Sequence, residues 1–271
     1  MAFVFNNDTD NIPIAIIKSK NKTRNGKIIY LTENEDDEYN KNFDKLQLKD
    51  KEDSFMLYPS KHTRCVYVTG ANGAGKSYFI SDYVALYQDI NKKRGKDETG
   101  KDIMIYPKVI LFSEKSKDPV LDDKLKNVKR IVIDDSLLTN PITYDEIIST
   151  CEPKTLWLMD DIDSLTGRLK KEVYRILKLV IDVLRQHEQY ICVTSHEGCT
   201  GAQSKSQLAG CNVIVAFHST GYNRSLEYLV KNYVKKKEVK NFENEIYNNS
   251  RWFCYIKTRP SVMLFEKELK F

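Results

Sequence analysis

Short apolar runs separated by longer polar connections give this chain the rhythm of an α/β protein. Near the start, Ile12 to Ile17 and Lys27 to Leu31 read as strands joined by the polar turn Ser19 to Gly26, and Asn25-Gly26 favours a hairpin. Phe55-Met56-Leu57-Tyr58, before Pro59, is a further short strand. Continuous apolar runs then recur at Cys65 to Thr69, Val109 to Phe112, Thr155 to Met159, Tyr190 to Val193 and Val213 to Phe217, as expected of strands buried on both faces. Arg130 to Ile133 is also strand-like. Helical spacing follows the first of these runs at Tyr78, Phe79, Tyr83, Val84, Leu86 and Tyr87. It is strongest at Val173, Ile176, Leu177, Val180, Ile181 and Leu184, and returns at Leu226, Leu229, Val230, Tyr233 and Val234. Thr143 to Thr150 predicts a short helix capped by Asn140 or Thr143 and entered through Pro141. Cys199 to Gln207 reads as a loop leading into another, and Trp252 to Ile256 with Val262 to Phe265 as a closing hairpin around Arg259-Pro260.

The expected architecture is a mostly parallel sheet flanked by helices over residues 61–271, with a small β-rich extension over 1–60 and a C-terminal hairpin. The extension is too poor in apolar residues to hold a core alone, so it is expected to pack on the edge of the main domain. An acidic stretch, Glu33 to Glu38, lies inside it. Asn91 to Lys101, with two glycines, five cations and no apolar residue, reads as a long polar loop, either facing a nucleic acid or an ordinary solvated surface. The sequence leaves open whether DNA contacts lie there or in the basic run Lys231 to Lys240.

Chemistry concentrates at Gly70-Ala71-Asn72-Gly73-Ala74-Gly75-Lys76-Ser77, which fills every fixed position of the pattern G-x-x-x-x-G-K-[ST]. A turn whose backbone N–H groups converge on phosphate cannot carry bulky side chains along the approach, and glycine supplies the bends. Lys76 brings a charge for the β and γ phosphates and Ser77 a hydroxyl for Mg²⁺, while the helix starting there, with Tyr78 in its first turn, aims its positive end at the anion. ATP and Mg²⁺ are therefore the expected cofactors.

Hydrolysis needs a second hold on the metal, an oriented water and charge to stabilise the breaking bond. Asp160 and Asp161 end the Thr155 to Met159 run, where a ligand crevice lies in an open α/β sheet. Asp160 is assigned to the metal and Asp161 to the attacking water as general base, with Asp163 as a rival for that role. His196, at the tip of the neighbouring run, is placed to sense the γ phosphate. Arg185 and Arg224 are alternative arginine fingers.

Composition adds limits rather than a direction. The net charge of +5 permits a polyanionic partner without demanding one. No apolar run is long enough to cross a bilayer, and Met1 to Asp10 lacks the basic-then-apolar order of a secretory signal, so an intracellular protein without a membrane partner is expected. Six scattered cysteines, with no C-x-x-C pair, read as reduced core residues.

Together, Gly70 to Ser77, the strand Leu156 to Asp161, and Arg185-Gln186-His187 leading to Val193-Thr194-Ser195-His196 resemble the FtsK/HerA superfamily of P-loop motors. Within it, they resemble the poxvirus-type genome-packaging ATPases of large DNA viruses. The resemblance spans about residues 60 to 235, and departs from the family at His196, where many members have glutamine, and at Asp161, where many P-loop ATPases have glutamate. It implies an ATPase that translocates double-stranded DNA as a homo-oligomeric ring, with Arg185 or Arg224 completing a neighbour's site. It also implies a capsid or portal protein as a partner and a place in the host cytoplasm, a viral factory or the virion. A nucleotide-gated assembly switch, or a P-loop nucleotide kinase, shares the cradle and stands as the alternative.

Overall fold

A computed structural model describes residues 2–5, 10–32, 45–198, 202–218, 224–234, 242, 244, 246 and 250–271, without the side chains of 183–186, 202–204, 224 and 225. The acidic stretch 33–38, Cys199 and positions 235–240 of the basic run lie outside the described residues. The architecture is the expected α/β one, with parallel central strands, flanking helices and a β-rich N-terminal region. The chain forms two compact units, residues 1–74 with 197–271, and residues 75–196.

In the first unit, β1 (Ala2–Val4), β2 (Ile12–Lys18) and β3 (Ile28–Thr32) precede β4 (Lys45–Gln47), β5 (Ser54–Leu57) and β6 (Cys65–Thr69). Strands β1, β3, β2 and β5 form an antiparallel sheet in that order, with the β2–β3 hairpin turning at Gly26, φ +82. The second unit opens with α1 (Lys76–Asn91), followed by a hairpin of β7 (Lys93–Lys96) and β8 (Asp102–Ile105). The expected polar loop at 91–101 is thus corrected to a two-stranded ribbon. Its turn is built by Asp97, whose Oδ1 accepts from the amides of Thr99 and Lys101 at 2.9 and 3.0 Å, with Gly100 at positive φ.

Next come β9 (Val109–Ser113), α2 (Pro119–Asp122), β10 (Val128–Val132), α3 (Ser136–Thr139), α4 (Tyr144–Thr150), β11 (Leu156–Met159), α5 (Gly167–Gln186) and β12 (Tyr190–Ser195). Strands β10, β9, β11 and β12 run parallel in that order. Every residue of β9, β11 and β12 is buried, which is why their sequences run apolar without alternation up to the polar tips Ser113 and Thr194-Ser195. Thr143 caps α4 with Glu146 in a reciprocal capping box. Helix α5 buries Val173, Ile176, Leu177 and Val180, the stripe its spacing predicts.

The chain closes in the first unit with α6 (Ala202–Gly210), β13 (Val213–Phe217), α7 (Arg224–Leu229) and a π-helical turn at Val230–Val234, then β14 (Trp252–Ile256), β15 (Val262–Phe265) and β16 (Glu268–Lys270). Strand β13 lies parallel to β6 and antiparallel to β14. The closing hairpin is longer than expected: β16 continues it and pairs with β4, so the N-terminal extension shares this sheet. Phe3 and Phe271 stack, with ring centroids 4.4 Å apart. Cys65, Cys192, Cys211 and Cys254 are buried and not joined in disulfides. No helix among the described residues is long and apolar enough to cross a membrane.

Candidate nucleotide site

Strand β6 delivers the chain into the glycine-rich turn. A Cβ on Gly70 would lie 2.6 Å from Cβ of Phe217, at the end of β13, so only hydrogen fits where the loop leaves the sheet. Ala71, Asn72 and Gly73 are exposed and Ala74 half-buried. Gly75 is the N-cap of α1 at φ +105, a left-handed conformation, and no side chain caps the helix. Its first turn therefore keeps the character of an anion site. Ser77 is half-buried in that turn, while Tyr78 is 63% exposed, its ring facing the ammonium of Lys124 at 5.9 Å.

Lys76 is buried, and its Nζ lies 3.0 Å from His196 Nδ1 and 4.0 Å from Asp161 Oδ1. With the ammonium donating to Nδ1, the ring proton sits on Nε2, which faces Asp161 Oδ2 at 3.4 Å. Burial pulls the Lys76 pKa below its ordinary value against the opposing attraction of Asp161, Asp163 and Asp160. A phosphate would relieve that cost by supplying charge where the lysine now has a ring nitrogen and a distant carboxylate.

Asp160 is 7% exposed. Desolvation, reinforced by the charge of Asp161, pushes its pKa up despite hydrogen bonds from Thr194 and Ser113. Ser113 Oγ, at the tip of β9, donates to Asp160 Oδ2 at 3.2 Å. Asp161 turns differently because its φ is +48. Asp163 accepts from Ser195 Oγ and from the amide of His196, both at 2.8 Å, so its carboxylate fixes the tip of β12.

The donor set fits a magnesium ion on chemical grounds. Asp160 offers buried carboxyl oxygens and Ser77 a hydroxyl at the helix start; hard oxygen donors of this kind suit Mg²⁺. Asp161, Asp163 and His196 also bring three possible ligand atoms within 4.8 Å of one another, though Lys76 shares that space.

The structure thus brings Lys76, Asp160, Asp161, Asp163 and His196 together at the strand tips of one unit. Arg185 lies in the last turn of α5 and Arg224 begins α7, but both side chains lie outside the described residues. Sequence reasoning missed Ser113 and Thr194. Ser113 carried a usable signal, since a polar residue ends the apolar run Val109 to Phe112 as Asp160 ends its own.

The fold is an α/β fold of the P-loop NTPase kind. No family model matches the chain. It is similar to the uncharacterized protein V3 of Sputnik virophage, with 27% identity over 251 residues and 90% of each chain covered. Among solved structures it is similar to B204, the DNA-packaging ATPase from Sulfolobus turreted icosahedral virus, at 10% identity and a TM-score of 0.49, covering 74% of this chain and 96% of that one. A second similar structure is the genome packaging NTPase B204 from Sulfolobus turreted icosahedral virus 2 in complex with AMPPCP, at 12% identity and a TM-score of 0.47, covering 76% and 98%. The conjugation coupling protein TcpA of pCW3 is similar at 9% identity and a TM-score of 0.43, covering 100% of this chain and 87% of that one.

Proposed function

We propose that this protein is an ATP-hydrolysing, double-stranded DNA translocase that packages a viral genome. The observation that carries the ATPase reading is the convergence of Lys76, Asp161 and His196, with Lys76 Nζ 3.0 Å from the imidazole and 4.0 Å from the carboxylate. A phosphate-binding lysine, a carboxylate and a polar strand-tip residue then face one point, as triphosphate hydrolysis requires. DNA as the polymer and the ring as the assembly rest on the motif resemblance.

In this reading Gly70 to Tyr78 hold the triphosphate, with backbone N–H groups on the phosphates and Lys76 on the β and γ oxygens. Ser77 and Asp160 hold Mg²⁺, which when bound supplies positive charge to those oxygens. Asp161 takes a proton from water, and His196 registers the γ phosphate as Lys76 leaves it. Arg185 or Arg224 enters a neighbouring subunit's site. Residues 61–271 form the ATPase domain, and 1–60 the extension that meets a capsid or portal protein. Cations at 91–101 or 231–240 face the DNA, in a host cytoplasm, viral factory or virion.

Purified protein should hydrolyse ATP faster with duplex DNA, and the stimulation should weaken as salt rises. Lys76→Ala should abolish ATP binding, while Asp161→Asn should bind ATP without turning it over. An ATPase rate indifferent to DNA across a salt series would remove the translocase reading. An Asp161→Asn protein that binds ATP and still assembles and functions would favour a nucleotide-gated switch, to which the shortened acid and the histidine at the sensor position lend support.

A further inference from the structure

We infer that Thr194 is the positioning residue that sets the directions of both acids after β11. Asp161 adopts φ +48, a left-handed conformation that non-glycine residues take only when something holds them there. Its amide donates to Thr194 Oγ1 at 2.7 Å. The same oxygen lies 3.0 Å from Asp160 Oδ1 and 3.3 Å from Asp161 Oδ1. A hydroxyl has one hydrogen to give and two lone pairs to receive, so it accepts from the Asp161 amide and donates to one carboxylate at a time, Asp160 being the nearer. One buried atom therefore fixes the backbone of one acid and the side chain of the other.

The sheet supplies the precision. Met159 pairs with Val193 in register, which sets Thr194 beside the chain where it leaves β11. Thr194 is 1% exposed, and a β-branched residue on a strand has few rotamers to choose from. Removal of the oxygen leaves a part-buried amide without its acceptor, and relaxation out of the left-handed region is then the available remedy. Asp161 would swing, and Asp160 would lose the hydroxyl that orients its Oδ1. The effect on turnover rests on the ATPase reading above; the effect on acid geometry does not.

Three proteins decide the matter: wild type, T194V, which keeps the shape and loses the oxygen, and T194S, which keeps the oxygen. The measurements are crystal structures without nucleotide, Mn²⁺ affinity by electron paramagnetic resonance with a non-hydrolysable ATP analogue, and steady-state kinetics. In T194V, Asp161 should leave positive φ, and Mn²⁺ affinity and kcat should each fall about 10- to 100-fold, the usual range for a support behind a metal ligand, with KM for ATP little changed. T194S should recover most of both. A T194V structure with both acids in place, Mn²⁺ affinity equal to wild type, or equal impairment in T194S and T194V would each overturn the inference. If wild type does not hydrolyse ATP, the ATPase reading falls and Thr194 is judged on the crystal structures alone.

Discussion

A carboxylate is a poor choice for a dry strand end, and Asp160 shows what its presence costs. Because burial and Asp161 raise its pKa, the folded chain holds that proton more tightly than the unfolded chain does. The stabilisation this gives is full below the ordinary carboxylate range, about pH 4, and is lost as pH rises through the elevated value. Asp160→Asn should therefore melt higher than wild type at pH 7 to 8 in chelator, with the gap closing on acidification; a constant gap in a pH series of thermal melts would contradict this. His196 makes a second case. Its Nδ1 occupies Lys76 before nucleotide arrives, so that hydrogen bond must break for the lysine to reach phosphate. His196→Ala should then bind ADP roughly 2- to 10-fold more tightly, the worth of one such bond, while hydrolysing ATP more slowly. Titration of a fluorescent ADP analogue measures the first effect, and unchanged affinity would show that the lysine is not restrained.

Elements were legible where a single run carried its own instruction. The unbroken apolar runs of β9, β11 and β12, the stripe on α5 and the Thr143 cap of α4 follow from spacing and turn chemistry alone. So did the ends of β6 and β11, because glycine after one and paired acids after the other have few structural uses. What pairing decides was hidden. Lys45-Leu46-Gln47 and Glu268-Leu269-Lys270 are too short and polar to read as strands, and become strands by pairing, the first with the second and the second also with β15. Lys93 to Lys96 lacks alternation, and its strand is imposed by the Asp97 turn. Thr194 was invisible as a support because its role depends on the register of β12 against β11. Gly70 is a constraint at the level of the element. Its missing Cβ would meet the Cβ of Phe217, which cannot rotate away, so Gly70→Ala must shift backbone at a cost of about 1–3 kcal/mol. Thermal melting should register that loss and nucleotide titration a weaker cradle; wild-type values in both would show that the turn has slack.

At the scale of the whole molecule, sequence-distant segments close the first unit. Lys267 Nζ donates to the carbonyl of Lys51 at 2.7 Å, and the amide of Leu48 donates to the carbonyl of Lys267 at 2.9 Å, both beside the β4–β16 pair. The N-terminal extension is thereby integral to the sheet that carries the chain's last strands. The stacked rings of Phe3 and Phe271 add a practical corollary. Residues this far apart in sequence are held side by side there, so Phe3→Ala should loosen β1 first and lower the melting temperature by a few degrees. A fluorophore placed on β1 would then report, while nucleotide and DNA are added, whether the aromatic clasp stays shut.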